Sequence, residues 1–278
     1  MEIRHYSWQD GKELTVGKRT LVMGVLNYTP DSFSDGGKWN GVDAALKHME
    51  DMVAEGADII DIGAESSRPG FTPISADEEI ARLEPILPKL VRECPVPISV
   101  DTYKAKTAAY AMETGAHMMN DIWGLQYEKE PGEMAAVAAK YKVPVIVMHN
   151  QNTTEYHDII EDMKKFFLQS ALIADRAGVD QEQIILDPGI GFGKTFEQNV
   201  YVMKHLQELT ALPYPMLLGT SRKGFIGKIL DLPVTERMEG TGATCVAGIL
   251  AGCTIVRVHD IQPIVRMCKI ADALHEDA

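Results

Sequence analysis

Eight short apolar runs in this sequence each finish on a residue that can bind or exchange something. The runs are TLVMGVL (20–26), DIIDIG (58–63), PISV (97–100), HMMN (117–120), PVIVM (144–148), QIILD (183–187), PMLLG (215–219) and TIVRV (254–258). At or next to their ends stand Asn27, Asp61, Asp101, Asn120 with Asp121, His149, Asp187, Ser221 with Lys223, and Arg257 with His259. Any one Asp or Asn in such a place could be a helix cap or a loop hydrogen bond. A polar group on every run points instead to one shared rim.

The residue types divide into two chemical sets. Asp101, Asn120 and Asp187 are short acceptors or amides able to read the donor and acceptor edge of a planar heterocycle, and a carboxylate can take two parallel N–H bonds from a guanidine-like ring edge. Arg68, Lys223, Arg257 and His259 supply positive charge or donors for an anion in an otherwise acidic chain. Together they suit a flat ring with a phosphate-like tail.

Better-known arrangements do not fit. DPGIGFGKT (187–195) has the look of a phosphate loop, but the first glycine it requires falls on Pro188, and a dinucleotide fingerprint would need glycine at Lys194. There is no HxH or HExxH, so His149 and His259 are poor zinc ligands. GTSRKG (219–224) sets Ser221 beside two cations with no base, and a GxSxG elbow is absent.

The elements that must position the rim follow from the spacing. Amphipathic stretches separate the runs, among them 43–54, 76–91 and 159–177, and Ser75 with Glu78 forms a capping-box pattern at the start of the second. Gly56, Gly115, Gly178 and Gly252 stand where a helix must stop, a place that favours a left-handed residue. Apolar strands alternating with helices imply parallel strands, and eight such units suggest a closed (β/α)8 barrel, with an open doubly wound sheet as the alternative. In a barrel, ligands bind at the carboxyl ends of the strands, which is where the polar residues lie. Nothing divides the 278 residues, so 1–278 is read as one domain. Residues 1–19, with a turn-like Val16-Gly17-Lys18, are expected to form a hairpin closing the bottom.

Composition excludes several classes of function. A net charge of −13 and a pI near 5.1 argue against nucleic acid or an anionic membrane as the main partner. Four cysteines without a CxxC pair fit reduced thiols. The N-terminus lacks an apolar signal segment, and the longest apolar stretch, near Cys245 to Val256, is too short to span a bilayer. A soluble, cytoplasmic protein is expected.

MGVLNYTPDSFSDGG, DIGAESSRPG, SVDT, the Asn120-Asp121 pair, DPGIGFGK, TSRKGF and RVHD occur in this order over nearly the whole chain. In these blocks the sequence resembles the dihydropteroate synthase family of folate biosynthesis. The resemblance implies a (β/α)8 barrel that condenses 6-hydroxymethyl-7,8-dihydropterin pyrophosphate with p-aminobenzoate to give 7,8-dihydropteroate and pyrophosphate. It implies pterin binding by Asp101, Asn120, Asp187, Lys223 and Arg257, and a pyrophosphate site of Asn27, Arg68, Arg257 and His259 with Mg²⁺ bridging Asn27 and the leaving group. It further implies a p-aminobenzoate pocket of Ser67, Arg68, Pro69, Phe192, Ser221, Lys223 and Gly224, with the helix beginning near Lys223 offering backbone N–H groups to the carboxylate. Lys223, Arg257, His259 and Asn27 would carry catalysis, Thr29 to Gly37 would form a mobile lid, and a homodimer is expected. The chain departs from the common family wording at Tyr28, Ala64 and Ser67. A methyltetrahydrofolate-binding methyltransferase shares the pterin-reading barrel, but would not need the SRPG loop, the SRK block or a pyrophosphate site. A pterin-binding homologue without turnover is the other alternative.

Overall fold

A computed structural model describes residues 3–29, 37–65 and 72–275, with the side chains of 37–40 excepted. The chain opens with β1 (Arg4–Ser7) and β2 (Glu13–Val16), an antiparallel hairpin. Eight parallel strands follow: β3 (Leu21–Asn27), β4 (Ile59–Gly63), β5 (Ile98–Asp101), β6 (Met118–Asp121), β7 (Val145–Met148), β8 (Ile184–Asp187), β9 (Leu217–Leu218) and β10 (Ile255–Val258). Their order is β8-β7-β6-β5-β4-β3-β10-β9. A bridge between Leu186 and Met216, with Leu186 N–H donating to the Pro215 carbonyl at 2.9 Å, joins the two outermost strands and closes the barrel.

The helices are α1 (Gly37–Glu55), α2 (Ala76–Leu83), α3 (Leu87–Glu93), α4 (Ala105–Thr114), α5 (Glu133–Tyr141), α6 (Ile159–Ala177), α7 (Phe196–Lys204), α8 (Leu206–Thr210), α9 (Gly224–Leu230), α10 (Met238–Leu250) and α11 (Ile261–His275). Outward-facing strand residues such as Val22, Ile60, Ile98 and Val256 pack against them in the main core. Gly56, Gly115, Gly178 and Gly252 all carry positive φ where a helix gives way to the next strand, as expected. No helix of the described residues is long and apolar enough to cross a membrane.

Three local expectations are corrected. The stretch 76–91 is two helices, because Pro85 has no N–H to continue the first and the chain restarts at Leu87 with Pro88 in its first turn. Ser75 accepts from the Glu78 N–H at 3.1 Å, but the Glu78 carboxylate takes Arg82 at 2.6 Å instead of returning to Ser75, so only half of the capping box forms. The hairpin reverses at Trp8–Lys12, where Gly11 N–H donates to the Trp8 carbonyl, whereas Val16-Gly17-Lys18 ends its second strand.

The hairpin does close the bottom of the barrel. Tyr6, Leu14 and Val16 share a buried cluster with Leu21, Met23, Ile59, Met118, Ile146, Ile185, Leu217 and Ile255, the lowest inward-facing residues of the strands. Polar bonds fix its position: Trp8 Nε1 donates to the His117 carbonyl at 3.0 Å, and one guanidinium nitrogen of Arg4 donates to the carbonyls of Glu182 and Ile184 at 2.9 and 2.8 Å.

Candidate active site

Side chains alternate along a strand, so the residue two places beyond each bottom plug faces the same interior. Ile59 leads to Asp61, Met118 to Asn120, Ile185 to Asp187 and Ile255 to Arg257, and the barrel interior turns from apolar to charged within two residues. These groups and the loops above them enclose a cleft of about 1040 Å³ whose wall includes Asn27, Asp101, Asn120, Asp187, Phe192, Ser221, Lys223, Gly224, Arg257 and His259. Ten residues assigned from the sequence are thereby brought to one mouth. Ser67, Arg68 and Pro69 lie outside the described residues, as does most of the expected lid at 29–37.

Arg257 is the centre of the floor. Its Nε donates to Asp61 Oδ2 at 2.6 Å and one terminal nitrogen to Asp101 Oδ2 at 2.9 Å, while Asn120 Nδ2 donates to the same Asp61 oxygen at 2.9 Å. Burial opposes the Arg257 charge, but Asp61 and Asp101 outweigh it and hold the guanidinium above its ordinary pKa. Burial pushes the Asp101 carboxyl up, against the pull of Arg257. Asp187 is also raised by burial, and its Oδ1 accepts the Gly189 N–H at 2.7 Å. Across the cleft, Lys223 donates to the Ile190 carbonyl and lies 4.9 Å from the centre of the Phe192 ring. Burial lowers its pKa to about 8 although Asp187 pulls the other way.

Ser221 and His259 form a second group at the outer wall. Ser221 Oγ accepts the His259 backbone N–H at 3.1 Å and lies 2.9 Å from Nδ1 of the same ring. The hydroxyl, with one proton and two lone pairs, can meet Nδ1 while it accepts that N–H. Ser221 therefore orients His259 as well as lining the pocket. Arg222, which the sequence shows only as a second cation, also lines the cleft but, at φ 56°, grips Asp260 with two bonds of 2.9 and 2.5 Å. Past it, α9 starts at Gly224, and its N-cap Lys223 makes no side-chain cap bond with the first turn.

Three residues of the expected rim do not face the cleft. Asp61 is fully buried beneath Arg257, where its charge is paired rather than offered to a ligand. Asp121 accepts the Trp123 and Leu125 N–H groups at 2.8 and 2.7 Å and shapes its loop; burial raises its pKa to about 6. His149 is buried beside Phe166 and accepts from Lys194, and burial together with that cation lowers its pKa to about 2, so it stays neutral. In each case a chain-local or neighbouring donor claims the side chain first. Conversely, Val25, Ile122 and Met148 give the cleft apolar walls, and Glu65 and Lys194 line it too. The apolar three carry no chemistry that could announce them, and Lys194 is visible only once two loops are folded together.

For Mg²⁺, the donor chemistry is limited. Asn27 offers one amide oxygen at the end of β3, and no group of three His, Cys, Asp or Glu able to hold a metal occurs among the described residues. That donor set fits only an ion held mainly by substrate phosphates, a usual mode for Mg²⁺.

Comparison with known proteins agrees with this geometry. A pterin-binding enzyme family model matches residues 23–259. The dihydropteroate synthase of Clostridium beijerinckii is 52% identical over 264 residues, covering 95% of this chain and 97% of that one. A crystal structure of dihydropteroate synthase from Clostridium difficile, in the presence of pteroic acid, superposes with a TM-score of 0.91 at 51% identity, covering 94% of this chain and 99% of the other. The Xanthomonas albilineans dihydropteroate synthase with 4-aminobenzoic acid gives 0.90 at 36% identity and 97% coverage of both chains. From the blocks of sequence, the closed barrel, the charged mouth and these matches alike, the chain belongs to the pterin-binding enzymes and, among them, to the dihydropteroate synthases.

Proposed function

We propose that the barrel mouth carries out dihydropteroate synthesis with the pterin on its floor and p-aminobenzoate on its outer wall. The observation that carries this division is the Arg257 guanidinium laid between Asp61 and Asp101, with Asn120 and Asp187 beside it. Asp187 and Asn120 face the ring edge, Asp101 adds an acceptor, and Arg257 offers a flat cation for a flat ring to stack on. Phe192, Lys223 and the start of α9 at Gly224 form the wall assigned to p-aminobenzoate, with Ser67, Arg68 and Pro69 added on the resemblance alone.

In the reaction the aniline nitrogen bonds to the pterin methylene carbon while the bond from that carbon to the pyrophosphate oxygen breaks. The electron pair leaves with pyrophosphate, and the nitrogen gives up a proton. An aniline is already neutral near pH 7, so no strong base is required, in keeping with the neutral, occupied His149. The larger demand is stabilisation of the leaving anion, which falls to Asn27, Arg257 and His259 with Arg68. Mg²⁺, when bound through Asn27 and the pyrophosphate, would neutralise part of that charge.

The purified chain incubated with both substrates tests this. Dihydropteroate and pyrophosphate in equal amounts, suppressed by EDTA and restored by Mg²⁺, are expected. A pterin-binding homologue without turnover, or a methyltransferase, would give none. The same reading expects sulfonamides to compete with p-aminobenzoate, and sedimentation to report a homodimer.

A further inference from the structure

Lys194 is nearly buried with no carboxylate at ion-pair distance among the described residues; burial lowers its pKa to about 7, and only its protonated form has a donor for each of its three neighbours. Its ammonium donates to His149 Nδ1 at 2.9 Å and to the carbonyls of Gly189 and Phe192, each at 3.0 Å. Three donors meet three neutral acceptors, so none is left for a ligand. The acceptors come from two loops, one after β7 and one after β8.

Those loops lie backbone against backbone. Gly189, at φ 62°, leaves room for only a hydrogen: a Cβ there would fall 2.0 Å from the His149 carbonyl oxygen. Gly193, at φ 54°, stands in the same relation to the Gln151 carbonyl at 2.7 Å, and Tyr156 donates to the Gly193 carbonyl at 2.7 Å. Between the two glycines sits Phe192, whose N–H donates to the Gly189 carbonyl at 3.0 Å and whose ring faces Lys223. Both carbonyls that Lys194 holds therefore belong to the turn that presents this ring.

We propose that Lys194, seated on His149, is a positioning residue for the second substrate: it fixes the turn that carries Phe192 against Lys223 without touching either substrate. This rests on the reading of Phe192 and Lys223 as the p-aminobenzoate wall. A point cation with tetrahedral donors suits the task, because one atom satisfies three carbonyl or imine acceptors from two loops. A methionine, lacking the ammonium, leaves His149 Nδ1 and the Phe192 carbonyl unpaired and the Gly189 carbonyl with the Phe192 N–H alone, and the turn can restore the lost bonds to water only by opening. The assignment also explains a histidine at a strand end that neither binds nor transfers a proton. Asn is suited to replace it, since its Oδ1 can occupy the place of Nδ1.

The test compares Lys194→Met, His149→Leu and His149→Asn by steady-state kinetics in both substrates, with calorimetric binding of a pterin ligand alone. In Lys194→Met, KM for p-aminobenzoate should rise about tenfold or more, with kcat lowered less and pterin affinity kept within about twofold. His149→Leu should move the same constant in the same direction by less, and His149→Asn should bring it back to within about twofold of wild type. Wild-type KM in Lys194→Met, equal damage from Asn and Leu at 149, or joint loss of affinity for both substrates would each overturn the proposal. Should Lys194→Met fail to fold, the two His149 variants decide alone. If the wild-type chain makes no dihydropteroate at all, it is the reading of the wall that fails, and the proposal falls with it.

Discussion

The two ends of this barrel are built from the same strands and follow opposite rules. At the bottom, Leu21, Met23, Ile59, Met118, Ile146, Ile185, Leu217 and Ile255 meet Tyr6, Leu14 and Val16 of the hairpin, and every one of these is buried and apolar or aromatic. Two residues further along, the interior holds Asp61, Asn120, Asp187 and Arg257. Burial of the first set stabilises at roughly 25 cal/mol per Å² of apolar surface. Burial of the second costs free energy unless each charge has a partner. Asp61 and Asp101 have Arg257, whereas no ion pair within 4 Å takes up Asp187 or Lys223 among the described residues, and both line the cleft. The lesson is that stability and chemistry are separated here along the strand axis by about two residues.

The comparison breaks most visibly at Arg257, which serves both rules. Arg257→Met should abolish measurable turnover and also lower stability, on the order of 3 kcal/mol, because it strands the fully buried Asp61 carboxylate. Product formation and urea unfolding measure the two losses; a variant of wild-type stability would show that Asp61 does not depend on this pair.

Leu14→Ala keeps to the bottom. It should cost about 2–4 kcal/mol in unfolding free energy by opening a cavity in the plug, while KM for both substrates, read well below the new Tm, stays put. A shifted KM would show that the plug and mouth are coupled.

A third expectation concerns pH. Burial holds the Lys223 pKa near 8, below that of a free lysine, so the protonated form is lost as pH rises through about 8. The slope of kcat/KM should fall toward about tenfold per pH unit above that value. Stability should move the other way: between pH 8 and the ordinary lysine range the unfolded chain holds the extra proton, so Lys223 contributes rising stability with pH there. A flat alkaline limb in kcat/KM would remove the ammonium from the mechanism. The smallest effect belongs to neither end: Ser75→Ala deletes the N-cap of α2 and should cost about 1 kcal/mol with no kinetic change.

Much of this was legible before folding, and the exceptions have physical reasons. Strand ends revealed Asp101, Asn120 and Asp187 because a polar residue closing an apolar run must either cap or bind. The same rule also selected Asp121 and His149, whose partners, the Leu125 N–H and Lys194, lie in loops whose course the sequence does not specify. Lys194 itself was hidden inside a glycine-rich stretch, since a cation that binds only two carbonyls and a neutral imidazole leaves no charged partner to pair with it in sequence. Pro85 could have signalled the break between α2 and α3, but the apolar periodicity continues through it, as Leu83, Ile86, Leu87 and Leu90 are all buried. Turn position in the hairpin failed for a similar reason: Gly11 and Gly17 both have positive φ, and only strand pairing distinguishes the reversal from the strand end.

The separation of stability from recognition is tested most directly by calorimetric titration of a pterin ligand into wild type, Asp187→Ala and Leu14→Ala at one temperature where all three are folded. Asp187→Ala removes a buried acceptor from the floor and should weaken binding by about 2–4 kcal/mol, roughly 30- to 1000-fold in Kd, with Tm close to wild type. Leu14→Ala should bind with wild-type Kd despite its lower Tm. Unchanged affinity in Asp187→Ala, or equal losses in the two variants, would contradict the account.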